Sequence, residues 1–510
     1  MSACAVRFRD AARAFGLALL LAAGSVQAAS SLPDLVKTGD RAAALRAIAE
    51  GTDVDERSPD GTTALHWAAH HGDLELVRTL IERGADVSAT NDYGVTPLAA
   101  AAVEGDYEIV RALLDAGADV ESPNPEGQTA LMVVARTGRV DTARLLLERG
   151  ADVNAKEQWG GQSALMWAAA QKQPEMIRLL LEHGAEVDAR GRVHDWQRWV
   201  TSEPRVKILH VGGFTPLLYA AREGCVPCID ALVEGGADID LPDPYGVTPL
   251  VLALLNRHFD TAKRLIERGA DVNKWDWWGR SPLFVAIDLH NVPNSSRGDL
   301  PSLDDATGLD VARMLLERGA NVNMRLKQQL PLRESPNDRG HLDGSPDVFV
   351  IAIGATALHS AAKWGDVEAV RLLLEHGADV TASNVFGVTP MLAAAGVGHR
   401  YAVLRETPIR GTDKTGQDAV ATMELLLEAG ASLDDVATGR LAGMTAAHGA
   451  AQEGWSEVIE FLHRHGVDID KPNEAGETPR ELAVSTGHVQ TVSLIDRLLG
   501  GELVAGGDRR

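Results

Sequence analysis

The sequence predicts an all-α repeat solenoid, and three observations predict it. Glycines recur at a fixed period: Gly61, Gly94 and Gly127 stand 33 residues apart, as do Gly213, Gly246 and Gly279, Gly354 and Gly387, and Gly443 and Gly476. A short phrase follows each of them, Thr63-Ala64-Leu65-His66, Thr96-Pro97-Leu98, Thr215-Pro216-Leu217 and Thr356-Ala357-Leu358-His359 among the copies. The composition agrees: 50 glycines and only 5% aromatic residues suit many small, like units better than a few bulky cores.

The unit at Gly61 shows why these residues fold as they do. Thr63 is a helix N-cap residue, and several copies place Pro at the next position, where the first helical turn has no use for an N–H. The small pair Ala68-Ala69 lets a short helix pack closely. Gly72-Asp73 breaks it, and a second helix follows with Leu76, Val77, Leu80 and Ile81 on one face. Gly84 stands where a helix C-terminus needs a left-handed residue, and Gly-Ala-Asp-Val or a variant recurs there at Gly117, Gly150, Gly269 and Gly377. Asn91-Asp92-Tyr93-Gly94 then reads as a turn.

This unit resembles the ankyrin repeat, a turn plus two helices with a T-P-L-H signature. The resemblance covers residues 30–500 in about twelve units. Residues 29–60, which lack the Gly-Thr-Pro opening, form an N-terminal capping repeat. Units then run over 61–212, 213–353 and 354–500, and the last, with Arg480-Glu481 in place of Leu-His, is a polar C-terminal cap. Residues 501–510 form a disordered tail. With helices about 10 Å apart, such an array makes a curved rod on the order of 110 Å long with a concave binding face.

The first 28 residues read as a cleavable signal peptide of bacterial style. Arg7, Arg9 and Arg13 precede an apolar run from Ala14 to Ala23, and Val26-Gln27-Ala28 offers a small-residue cut site. The mature chain is then periplasmic or extracellular, and no later segment reaches membrane-spanning length. The net charge of −23 disfavours nucleic acid and favours partners with basic patches.

Four interruptions break the period, at 189–212, 293–306, 324–353 and 398–416. The first carries Arg190, Arg192, Arg198, Arg205 and Lys207 with Trp196 and Trp199, whose spacing suits one side of a short helix. The second long one, 324–353, opens with Arg325, Lys327 and Arg333. These are fingers that grip a partner, or segments that fold back on the acidic array. Aromatic residues gather at the turns: Tyr93, Trp159, Tyr245, Trp275, Trp277, Trp278 and Phe386, with Trp364 and Trp455 at first-helix ends. They are candidate partner-binding residues, or they stack on neighbouring turns.

Little chemistry is encoded. Cys225-Val-Pro-Cys228 admits a local disulfide, two free thiols or a redox pair, but no βαβ pattern surrounds it. His66 belongs to the repeat signature, so its spacing from His70 does not make a zinc site. No catalytic residues, cofactor or metal are expected. What the resemblance implies is a scaffold or adaptor that binds another exported protein; a redox accessory or a structural spacer is the alternative.

Overall fold

The computed structural model describes residues 31–194, 199–202, 205–208, 212–290, 304–328, 350–399 and 414–500. Residues 1–28, read as a signal peptide, Trp196 and residues 501–510, read as a disordered tail, lie outside the described residues. Among them, 24 α-helices form twelve pairs, from Leu32–Lys37 with Arg41–Ala49 to Pro479–Thr486 with Val489–Leu498. They fall into two compact units, one of residues up to 101 with 108–118, the other of 102–107 with 119 onward.

The repeat at Thr356 shows how the sequence makes each pair. The Thr356 N–H donates to His359 Nδ1 at 3.1 Å, and its hydroxyl lies 2.9 Å from the same nitrogen. This reciprocal cap starts the helix Ala357–Trp364. His359 Nε2 then reaches the Val388 carbonyl of the next repeat at 3.0 Å, so one side chain caps its own helix and ties two units. Gly365 ends the helix at φ 68°, a left-handed conformation that suits glycine. Asp366 caps the second helix, Val367–Glu375, which buries Ala369, Val370, Leu372 and Leu373.

Successive turns are joined by a backbone ladder. In the first unit the Asp92 N–H donates to the Asp60 carbonyl at 2.9 Å. In the second, Gln158 reaches Glu126, Trp277 reaches Tyr245 and Val385 reaches Ile353, each at 2.8 Å.

Two interruptions grow out of this ladder. At 189–212, Arg192 donates to the Gly160 carbonyl, and Val193 pairs with Gly212. The chain between carries an antiparallel hairpin, β1 (Trp199–Ser202) with β2 (Arg205–Ile208). Within the α repeat solenoid that the sequence predicts, this hairpin corrects one expectation: Trp199 opens a strand instead of lying in a short helix. A hairpin suits this place because its two strands satisfy each other's backbone groups. At 324–353, Lys327 donates to the Trp278 carbonyl at 2.9 Å and Gly354 to Leu326 at 2.8 Å. The regular turn is therefore kept on both sides of residues 329–349.

Candidate functional site

The residue four places after each capping Thr or Ser lies on one face of the first helix. In the second unit these are Val133, Trp167, Tyr219 and Leu252, the first three half-buried. Cations flank them. The Arg136 guanidinium lies 5.9 Å from the Trp167 ring, and Arg222 lies 4.9 Å from Tyr219 and 5.7 Å from Phe214. The Tyr219 hydroxyl accepts from Gln162 Nε2 at 2.5 Å, and burial raises its pKa above the ordinary tyrosine value.

The turns complete this face. Glu157 is buried, and its carboxylate accepts from the N–H groups of Trp159, Gly160 and Gln162 at 2.6, 2.7 and 2.9 Å. A turn held this way needs nothing from the Trp159 ring, which is 76% exposed. An open groove of about 610 Å³ lies between Trp159 and the preceding turn at Pro125–Gln128. Gln128 also borders a separate small recess formed with Met132, Val133, Arg136 and Trp167.

The other expected aromatics divide by position. Trp159 and Trp277, four residues before the capping Ser, are both exposed. Three before the cap, Tyr93 is 67% exposed, but Tyr245 and Trp278 are only 6% and 8% exposed. Their rings pack 5.6 Å apart, and Arg280 covers Trp278 at 4.7 Å. Tyr245 and Trp278 therefore join consecutive turns and present no free ring. Buried Asp276 holds the turn by accepting from Trp278 and Arg280; burial raises its pKa, with Arg280 opposing. Trp275 is exposed, with Lys327 Nζ 3.1 Å from its ring centre. Trp364 and Phe386 are half-buried. Trp199 lies on β1, and Tyr93 belongs to the first unit. Trp167, Arg136, Tyr219 and Arg222 were missed in the sequence. The available signal was Trp167 itself, an indole inside a helix otherwise made of small and aliphatic residues.

The same face is closed farther along the second unit. Val285, Ser360 and Ala393 are buried at the equivalent positions, and Ser360 donates to Asp288 at 2.9 Å. Ala395–His399 runs across the helix Ala446–Glu453, so close that a Cβ on Gly449 would lie 2.5 Å from the Val397 nitrogen. Half-buried Trp455 belongs to a polar cluster beside this segment. Lys414 Nζ donates to the carbonyls of Ala362, Lys363 and Ala394 at 3.0, 3.0 and 2.9 Å and lies 4.7 Å from the Trp455 ring. Burial pushes the Lys414 ammonium down to about 7 and the Glu453 carboxyl up to about 7, each opposed by the other's charge. His399 bonds the Ala393 carbonyl at 3.0 Å and stays well below its ordinary pKa, chiefly through burial and then through Lys414 and Lys363.

Cys225 and Cys228 form a disulfide, with Cα atoms 5.2 Å apart, at the start of the helix Val226–Glu234. Both are buried. The closed loop is short, so the chain-entropy argument assigns the bond only about 2 kcal/mol. The double variant Cys225→Ser/Cys228→Ala, whose serine keeps the cap, should lose about that much in urea unfolding. A collapse of the fold would show that the bond does more. Among the described residues no group of three His, Cys, Asp or Glu is placed to hold a metal, and no helix is long and apolar enough to cross a membrane.

Comparison with known proteins is consistent throughout. The family model described as ankyrin repeats (3 copies) matches residues 34–124, 121–191, 199–276, 217–326 and 415–499, and the single ankyrin repeat matches 353–385. The chain is 34% identical over 132 residues to cyclin-dependent kinase 4 inhibitor B of Mus musculus, covering 26% of this chain and 83% of that one. It is 54% identical over 46 residues to potassium channel AKT3 of Oryza sativa subsp. japonica, but spans only 5% of the channel and 9% of itself. The crystal structure of the human ASB11 ankyrin repeat domain aligns with a TM-score of 0.40 at 24% identity, covering 47% of this chain and 98% of that one.

Proposed function

This chain belongs to the ankyrin-repeat family, and on that premise we propose that it is an adaptor that holds a partner protein on the face from Pro125 to Arg222, outside the cytoplasm. Ankyrin repeats mediate protein–protein interaction, and their fold is a typical non-enzymatic scaffold. The observation that carries the assignment of this face is the exposed Trp159 in the turn and the half-buried Trp167 in the first helix of one repeat, with Arg136 beside the second ring. Such rings dominate protein interfaces because they bury much area at little conformational cost. The extracytoplasmic setting is supported by the basic start, apolar run and small-residue cut site of residues 7–28.

Affinity capture from the exported fraction with the full chain tests this reading. Trp159→Ala/Trp167→Ala should weaken capture of a specific partner by about thirtyfold or more, the effect of losing one hot spot. Neither ring fills the core, so circular dichroism should be unchanged. A folded double variant that captures the partner as well as the parent chain sinks the assignment.

A further inference from the structure

The net charge of −23 points to a basic partner, but the face that carries the groove has the opposite local sign. Arg136 ends the first helix of its repeat, Arg139 follows in the turn, Lys172 occupies the next turn and Arg222 ends the helix Pro216–Glu223. Arg136, Arg139 and Lys172 are exposed and form no ion pair among the described residues. Among these helix ends the carboxylate is Glu223, which Arg222 neutralises at 2.8 Å; one repeat earlier, Glu104 and Asp106 flank the Gly105 that Arg139 packs against. Asp141 and Glu175 begin the second helices beyond, where Glu175 pairs with Arg178. On the turn side, Glu157 is spent on its own backbone, which leaves Glu126 as the carboxylate facing the groove.

From this distribution we infer that the groove takes an extended acidic segment of a partner protein, with carboxylates facing Arg136, Arg139 and Lys172 and an apolar or aromatic side chain lodged between Trp159 and Trp167. The inference rests on the groove being the binding face. Its sign follows from charge complementarity: unpaired cations beside aromatic rings favour carboxylates and repel a basic segment, while the acidic remainder of the chain holds a mispositioned acidic partner off. The spacing follows from the repeat. Neighbouring first helices lie about 10 Å apart, and an extended chain advances about 3.3 Å per residue, so carboxylates about three residues apart meet successive cations.

The test uses the full chain and three labelled synthetic peptides read by fluorescence anisotropy. One carries Asp at every third position with Phe between; the second replaces Asp with Lys; the third keeps Asp and replaces Phe with Ser. The Asp/Phe peptide should bind best and weaken with added salt. Arg136→Glu/Lys172→Glu should weaken it by about tenfold or more. Preference for the Lys/Phe peptide, lost with Trp167→Ala, would overturn the charge assignment while the groove stood. Binding of every peptide that ignores both variants would remove the groove and the inference together.

Discussion

Lys414→Met should destabilise the second unit by about 3 kcal/mol, read as a lowered urea midpoint at unchanged slope. The ammonium serves three carbonyls at the ends of the helices Ala357–Trp364 and Pro390–Ala394, and it is the cation facing Glu453. Methionine fills similar volume, so the loss reports charge and hydrogen bonding more than packing. It leaves helix-end acceptors without a donor and a carboxyl whose Oε1 already has no hydrogen-bond partner. Glu453→Gln in the same chain removes the stranded carboxyl and should restore about half of the loss. Wild-type stability in Lys414→Met, or a double variant worse than the single one, would show that the pair does not hold Ala395–His399 in place.

His359→Ala should cost about 3 kcal/mol, the sum of two buried hydrogen bonds and a small cavity. The imidazole is fully buried, and burial holds its pKa at about 4. The unfolded chain titrates near the ordinary value of 6.5. Between those values the unfolded state takes up a proton that the folded state refuses. The contribution is therefore complete above pH 6.5 and is lost as pH falls toward 4, by about 2 kcal/mol at pH 5. His66 and His448, in the same cap, are lowered in the same direction by burial. Thermal midpoints at pH 7 and pH 5 check this: the parent chain should lose stability on acidification, and His359→Ala should lose measurably less. Equal losses would mean that other groups govern the acid response.

The repeat was legible because its signals are local. A Thr cap, a left-handed Gly365 and an apolar stripe such as Val370 and Leu373 each act within one helix pair, and the chain writes them again every 33 residues. The site was less legible because exposure depends on what the neighbouring repeat brings. Tyr93 and Tyr245 hold the same place in the same turn, yet one is open and the other is covered, since Tyr245 meets Trp278 of the next turn. Trp455 looked like a surface residue at a helix end until Lys414 and His399, both at the borders of an interruption, packed against it.

The sequence by itself thus determined the unit, its period and its membership in a family of stacked helix pairs, because capping, turn conformation and amphipathicity are settled within a few residues of chain. Only the tertiary structure decided which part of the face stays open. Ala395–His399 crosses Gly449 because glycine leaves room there, while Trp159 stays 76% exposed. It also decided the local sign of charge, since the whole-chain total averages over faces that a partner never sees together.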